Sequence, residues 1–173
     1  LCADYGLPLR HTPVGFKHVC ALALQEELLI GGEESGGIGI KHHLPERDGL
    51  LCGLLLVELL VRRQALLSEL VEELQRRYGR HSYRRIDFPL TPELKARLRE
   101  KLEQVPPAAF GGKAVVGVGK LDGWRFALAG GGWILFRPSG TEPLVRMYAE
   151  AGGEAELAAV LQSGKELIEK LKR

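Results

Sequence analysis

Residues 114–151, AVVGVGKLDGWRFALAGGGWILFRPSGTEPLVRMYAEA, decide the fold of the second half of this chain. They contain four apolar segments, at 114–118, 123–128, 132–136 and 144–151, and glycine-rich turns separate the first three. Short apolar segments joined in this way are typical of neighbouring antiparallel strands. The stretch therefore predicts an antiparallel meander.

Two helices and a further strand are predicted around this meander. Residues 81–88 alternate in part and end at Pro89, which indicates a strand, interpreted here as one that crosses between two domains. Thr91, which a proline follows, is a strong helix start, and we expect that helix to run to about Gln104. Helical spacing over 154–171 predicts a closing helix.

The first part of the chain combines helices with one short strand. Helical spacing over 16–29 predicts a short helix. The apolar residues 28–30 then predict a brief buried strand that ends in a glycine-rich loop. The long apolar-periodic stretch 50–78 predicts helix, interrupted near Leu67 and capped by the Asp or Gly at 48–49.

The loop at 31–37, Gly-Gly-Glu-Glu-Ser-Gly-Gly, has the composition of a site for hydroxyl groups. Its glycines let the backbone approach a ligand, and Glu33, Glu34 and Ser35 can hydrogen-bond a polyhydroxylated molecule. A flexible acidic loop and a metal site are the alternatives. Two adjacent carboxylates do not easily share a hard cation without further oxygen ligands, so no metal site is predicted.

The segment 137–143, Arg-Pro-Ser-Gly-Thr-Glu-Pro, has the composition of a phosphate site. It offers a guanidinium, two hydroxyls and an unhindered backbone, from Arg137, Ser139, Thr141 and Gly140. A plain turn is the alternative, because proline and glycine are ordinary turn residues. Together the two loops predict a phosphosugar ligand.

Three other basic residues have weaker signals. Lys17 by itself is expected to be a solvated lysine. Arg47 could form an ion pair with Asp48 or reach the substrate phosphate. Arg146 could add charge to the phosphate loop or pair with Glu150.

Composition argues against several classes of function. A net charge of +2 argues against a nucleic-acid partner, and no apolar run reaches the roughly 20 residues of a membrane-spanning helix. Three cysteines without a Cys-x-x-Cys spacing predict reduced core residues and a cytoplasmic protein. The absence of Asn favours a thermophilic source, although codon bias has the same effect. Because the chain begins with Leu, we expect a piece of a longer protein.

Four motifs of the chain resemble the α-D-phosphohexomutase family, which comprises phosphoglucomutases and phosphomannomutases. In chain order they are Thr12-Pro-Val-Gly-Phe-Lys17, Gly32-Glu-Glu-Ser-Gly-Gly37, Pro45-Glu-Arg-Asp-Gly49 and Arg137-Pro-Ser-Gly-Thr-Glu-Pro143. Each motif is a modest signal by itself, but all four occur in the family's order. The resemblance covers nearly the whole chain.

The resemblance implies two domains. Residues 1–80 would be the C-terminal part of the family's third domain, a three-layer α/β/α domain that carries the sugar-binding loop. Residues 81–173 would be the fourth domain, with an antiparallel sheet of four to five strands packed by two helices, similar to the TATA-box-binding protein.

The resemblance also implies roles for individual residues. Glu33 and Ser35 would contact sugar hydroxyls, and Lys17 matches a basic residue that faces the active site. The phosphate that is not being transferred would be held by Arg137, Ser139, Gly140 and Thr141. The family often has Lys where this chain has Arg47, which stays protonated and is a poor proton shuttle, so its auxiliary catalytic role stays open. The Glu-Glu-Ser-Gly-Gly form favours phosphoglucomutase over the Gln-Ser-Gly-His form of phosphoglucosamine mutases.

The family's reaction moves phosphate between O1 and O6 of a hexose through an enzyme phosphoserine and a bisphosphorylated sugar, with Mg²⁺ and glucose 1,6-bisphosphate as cofactors. The phosphoserine and metal loops belong to the first two domains of the family, and neither motif occurs in this sequence. We therefore expect the chain to bind hexose phosphates without catalysing by itself. Its partners would be the missing N-terminal domains, or another copy of the chain. A free-standing, non-catalytic sugar-phosphate-binding module is the alternative function.

Overall fold

The computed structural model describes residues 1–172. The chain divides into two compact units, Leu1–Tyr78 and Gly79–Arg173. The first unit combines helices with a small sheet, and the second is an antiparallel sheet packed by two helices, so the predicted fold class is confirmed. Among the helices described in residues 1–172, none is long and apolar enough to cross a membrane.

The first unit consists of a β-hairpin and three α-helices. In chain order it contains a 3-10 turn at Ala3–Tyr5, helix α1 at Phe16–Gln25, strand β1 at Ile30–Gly32, strand β2 at Ile38–Ile40, helix α2 at Gly49–Arg63 and helix α3 at Leu67–Tyr78. Strands β1 and β2 are antiparallel, with Gly32 opposite Ile38. A Cβ atom at Gly31 would collide with the side chain of Val19 on α1, so glycine permits the close approach of hairpin and helix.

Local chemistry sets the ends of α2. The Asp48 carboxylate accepts hydrogen bonds from the backbone N–H groups of Leu50 (2.9 Å) and Leu51 (3.0 Å), which makes Asp48 the N-cap. At the other end, Gln64 adopts the left-handed conformation with φ of 48°. The interruption therefore lies at residues 64–66, just before the position predicted from the sequence. The first strand is likewise displaced, because it begins at Ile30 rather than ending there.

The second unit contains a six-stranded antiparallel sheet. Its elements are strand β3 at Ser82–Pro89, helix α4 at Pro92–Gln104, strand β4 at Ala109–Phe110, strand β5 at Lys113–Gly119, strand β6 at Trp124–Leu128, strand β7 at Trp133–Pro138, strand β8 at Leu144–Ala151 and helix α5 at Glu154–Leu171. The strand order is β3-β8-β7-β6-β5-β4. The sixth strand is the two-residue β4, which the sequence did not indicate.

One face of this sheet packs against α4 and α5. Alternate residues of β6, β7 and β8 are buried there with the apolar faces of the two helices, including Phe126, Phe136, Met147, Leu98, Leu157 and Ile168. A Cβ atom at Gly164 on α5 would collide with Met147 and Ile134, so this glycine lets the helix lie close to the sheet.

Strand β3 was predicted to cross between two domains, and that interpretation is wrong. It is an edge strand of the second unit and pairs with β8 along its whole length, from Ser82 opposite Ala151 to Pro89 opposite Leu144. The pairing brings Asp87 opposite Arg146, beside the candidate phosphate loop.

Candidate functional site

Glu33 lies at the centre of the site in the first unit. It follows β1 directly, and the turn of the hairpin is closed by hydrogen bonds from Glu33 N to Gly37 O (2.9 Å) and from Gly36 N to Glu33 O (3.0 Å). Its side chain is only 14% exposed. The Oε1 atom accepts a hydrogen bond from Gly15 N at 3.0 Å, and Oε2 accepts one from Arg47 Nη1 at 3.4 Å. One carboxylate therefore joins three of the segments that the sequence singled out.

Two of the remaining candidate residues of the first unit, Lys17 and Arg47, lie beside this carboxylate, whereas Ser35 does not line the same groove. Lys17 is an exposed residue in the first turn of α1, and with Glu33 and Arg47 it lines a groove of about 660 Å³. The Arg47 guanidinium lies over the Phe16 ring, 5.7 Å from its centroid. Ser35 is exposed at the tip of the hairpin turn. The groove therefore offers two cations, Lys17 and Arg47, and two carboxylates, Glu33 and Glu46, to a polar ligand.

Arg47 and Asp48 do not form the ion pair that was considered from the sequence. Arg47 instead contacts Glu33 and Glu46, while Asp48 is 2.9 Å from His43 Nε2 and caps α2. The opposite directions of the two side chains explain the difference. In residues 1–172, no group of three or more His, Cys, Asp or Glu side chains could hold a metal ion.

Arg137, at the end of β7, is held in a fixed orientation in the second unit. Its Nε is 3.1 Å from Asp122 Oδ2, and its Nη1 donates a hydrogen bond to the Tyr148 hydroxyl at 3.0 Å. The side chain is partly buried. These two contacts leave further N–H donors of the guanidinium for a ligand.

Ser139 organises the loop that follows. It is 5% exposed, its N–H donates to Leu144 O (3.0 Å), and its Oγ accepts from Glu142 N (3.1 Å). Gly140 and Thr141 are exposed between these contacts, and within residues 1–172 their backbone N–H groups have no hydrogen-bond partner. The loop therefore presents two consecutive free N–H groups and the Thr141 hydroxyl beside Arg137, an arrangement suited to an anion.

Arg146 is the cross-strand neighbour of Arg137. It pairs with Glu142 and lies 3.9 Å from Asp87 Oδ2, whereas Glu150 pairs with His81, so the suggested pair with Glu150 is wrong. The Arg146 Nε is buried without a hydrogen-bond partner in the described residues. A second guanidinium thus borders the loop.

The sequence did not indicate the residues that fix the phosphate loop. Lys95 on α4 donates hydrogen bonds to two carbonyl groups of the loop, and Asp122 and Tyr148 orient Arg137. No motif marks these residues, because Lys95 is 44 positions from Ser139 and an isolated lysine in a helix normally indicates a solvated surface. Only the cross-strand register could have suggested Tyr148.

Comparisons with known proteins follow the same division of the chain. Residues 1–78 match the profile "Phosphoglucomutase/phosphomannomutase, alpha/beta/alpha domain III", and residues 93–164 match the C-terminal domain of the same family. The chain is 32% identical to a phosphoglucomutase of Komagataeibacter xylinus, over 97% of this chain and 33% of that protein. It is 34% identical to a phosphoglucosamine mutase of Heliobacterium modesticaldum, over 91% of this chain and 30% of that protein.

A solved structure is also similar. A protein from Thermus thermophilus, provisionally assigned as a phosphomannomutase, matches with a TM-score of 0.76 and 34% identity, over 97% of this chain and 33% of that one. The chain thus spans about one third of the length of the relatives that it matches.

Proposed function

The chain belongs to the phosphoglucomutase/phosphomannomutase family, and from this premise we propose that it is the substrate-binding C-terminal portion of a hexose phosphate mutase. Such an enzyme interconverts hexose 1-phosphate and hexose 6-phosphate through a bisphosphorylated sugar and an enzyme phosphoserine that lies outside this chain. The observation that carries the proposal is the loop at 139–141, where free N–H groups lie beside an oriented Arg137.

Arg137, Ser139, Gly140 and Thr141 bind the phosphate that is not being transferred. A guanidinium can hold two phosphate oxygens, and the free N–H groups and the hydroxyls can reach others. Because Asp122 and Tyr148 already orient Arg137, little side-chain freedom is lost when phosphate binds. Arg146, which lies opposite Arg137 in the register of β7 and β8, brings a second guanidinium to the loop, where it pairs with Glu142.

Glu33, Ser35 and Lys17 bind the sugar. Each carboxylate oxygen of Glu33 uses one acceptor position on Gly15 or Arg47 and keeps another for a sugar hydroxyl. Arg47 stabilises negative charge in the groove and does not transfer protons, because a guanidinium stays protonated. Contacts to hydroxyls and to a distal phosphate fix the ligand by its ends, so either phosphate can be presented for transfer.

Residues 1–80 would complete the third domain of the enzyme, and residues 81–173 would form its fourth. The assignment of residues 1–80 to part of a larger domain is supported by the apolar α2 face, which is defined as Leu50, Leu54, Val57 and Val61. These side chains recur at helical spacing on one side of α2 and are between 58% and 84% exposed. Exposed apolar faces of this kind normally pack against another element. The missing part of the same enzyme would cover this face, and in the isolated chain a second copy would do so.

Mg²⁺ and the phosphoserine would be supplied by the missing domains, glucose 1,6-bisphosphate would act as intermediate and activator, and the isolated chain would be inactive. A cytoplasmic location is supported by three unpaired cysteines at positions 2, 20 and 52. A thermophilic source is supported by the absence of Asn from the sequence.

An amide-shift NMR titration of the chain with glucose 1,6-bisphosphate tests the proposal. We expect saturable shifts at 33–37 and at 139–141. Arg137→Ala should weaken binding about 10- to 100-fold, because it removes charged hydrogen bonds, whereas the matched control Arg99→Ala on α4 should not. Shifts at the second loop alone would mean that the sugar side requires the missing domains. The absence of shifts at both loops would contradict the proposal.

A further inference from the structure

Lys95, on the first turns of α4, holds both ends of the phosphate loop. Its Nζ donates hydrogen bonds to Ser139 O and to Glu142 O, each at 3.0 Å. Its side chain is partly buried, so these contacts are not those of a freely solvated lysine. One ammonium thus fixes two carbonyl groups that flank the residues with free N–H groups.

The start of α4 is itself attached to the loop. Thr91 caps the helix, and Leu90 N donates a hydrogen bond to Pro143 O at 2.9 Å. The segment that carries Lys95 therefore cannot move away from the loop without breaking this further bond. The position of the ammonium is consequently set by backbone contacts and not by the side chain alone.

The contact with Ser139 O determines the direction of a neighbouring donor. The Ser139 carbonyl and the Gly140 N–H belong to one peptide unit, which is trans, so they point in opposite directions. Because the carbonyl points to Lys95, the Gly140 N–H points away from α4 and into the open side of the loop. The second contact, at Glu142 O, fixes the other end of the same turn.

We infer that Lys95 is a positioning residue of the phosphate site, which turns the loop carbonyls inward so that the Gly140 N–H is offered to the phosphate. The inference rests on the proposed function. Without the ammonium, the Ser139–Gly140 peptide would be free to rotate and to present its carbonyl, which repels an anion. Lys95 acts through Gly140 and does not itself touch the ligand.

The experiment compares the full chain with Lys95→Met, Lys95→Arg and the matched control Lys101→Met, which removes the same charge from the same helix. Amide spectra are recorded without ligand and during titration with inorganic phosphate. We expect Lys95→Met to shift the unliganded Gly140 resonance and to raise the phosphate Kd about tenfold, the effect of one lost charged hydrogen bond. Lys95→Arg should restore part of the affinity, and Lys101→Met should match the unsubstituted chain.

Several outcomes would overturn the inference. The inference is overturned if the Lys95→Met chain binds phosphate as tightly as the Lys101→Met chain and its Gly140 resonance is unchanged. Reduced thermal stability with unchanged affinity would mean a merely structural role. If Lys95→Met does not fold, Lys95→Gln is compared in its place, and unchanged affinity there has the same meaning.

Failure of the proposed function gives a different result. In that case the unsubstituted chain shows no saturable shift at 139–141 with phosphate, which overturns the phosphate site itself. The unliganded spectra then still decide whether Lys95 orients Gly140, because a Gly140 resonance that is the same in Lys95→Met and the unsubstituted chain excludes that role.

Discussion

Arg137 on β7 donates a hydrogen bond to the hydroxyl of Tyr148 on the neighbouring strand β8, at 3.0 Å. The Tyr148 side chain is almost fully buried, so its hydroxyl is a fixed acceptor. A fixed acceptor limits the positions that the guanidinium can adopt before a ligand binds. The orientation of Arg137 is therefore a property of the folded sheet.

Tyr148→Phe should weaken phosphate binding without unfolding the chain. The substitution keeps the buried ring and removes only the acceptor for Arg137, so we expect a loss of about 1 kcal/mol, or about fivefold in Kd. Titration with inorganic phosphate measures the effect. Tyr83→Phe, on β3 of the same sheet, serves as the control, and an equal loss in both variants would contradict this role of Tyr148.

Glu33→Ala should destabilise the first unit. The substitution removes the acceptor for Gly15 N and the partner of Arg47, and we expect a cost of about 1–3 kcal/mol because one of these partners is a backbone N–H that becomes unsatisfied. Hydrogen exchange at the Gly15 amide measures local opening. Glu34→Ala, at the exposed neighbouring position, should leave the exchange rate unchanged, and similar rates in both variants would refute the prediction.

The stability of α2 should depend on pH through Asp48. Hydrogen bonds from Leu51 N and from His43, together with that from Leu50 N, hold the pKa of Asp48 below its ordinary value. A carboxyl group whose pKa is lowered on folding stabilises the fold above its unfolded pKa of about 4, and this contribution is lost as the pH falls through the lower folded pKa. Circular dichroism during acid titration should therefore show loss of helix below about pH 4.

Asp48→Asn is the control for that titration, because Asn also caps helices but does not titrate. The acid-dependent loss of helix should be smaller in this variant. The same acid profile in both chains would exclude Asp48 as the titrating group.

Gly164→Ala should destabilise the second unit by about 1–3 kcal/mol, since the added methyl group would overpack the contact of α5 with Met147 and Ile134. Gly53→Ala on α2 is the matched helical control, where the space around the glycine is open. There the same change should stabilise by about 0.5–1 kcal/mol. Denaturant unfolding of both variants checks the opposite signs, and destabilisation of equal size would contradict the packing argument.

Leu54→Glu should reduce self-association of the isolated chain. The leucine is 69% exposed at the centre of the apolar α2 face, where a charge opposes burial against a second copy. Light scattering measured against concentration should show less association than in the unsubstituted chain. Leu121→Glu changes an exposed leucine of the second unit that lies outside the apolar α2 face, and it should not alter self-association. A monomeric unsubstituted chain would exclude association through this face.

The sequence by itself determined most elements of the fold, but not the short strands β2 and β4, and it determined the chemical character of the two loops. The partial alternation over 81–88, the capping Thr91 and the glycine-bounded segments are local patterns, and the residues that form each strand or helix depend mostly on such patterns. The composition of the loops at 31–37 and 137–143 was sufficient for a sugar and a phosphate to be predicted as ligands.

Only the tertiary structure decided which partners hold these loops. The contacts that hold the loops join residues that are distant in the chain. They are the bonds of Glu33 to Gly15 and Arg47, the contacts of Arg137 with Asp122 and Tyr148, and the two hydrogen bonds from Lys95. Such contacts depend on strand register and on the path of the chain, which no local pattern encodes. The sequence therefore indicates the chemistry of each loop, whereas the direction of each donor follows from the packing that surrounds it.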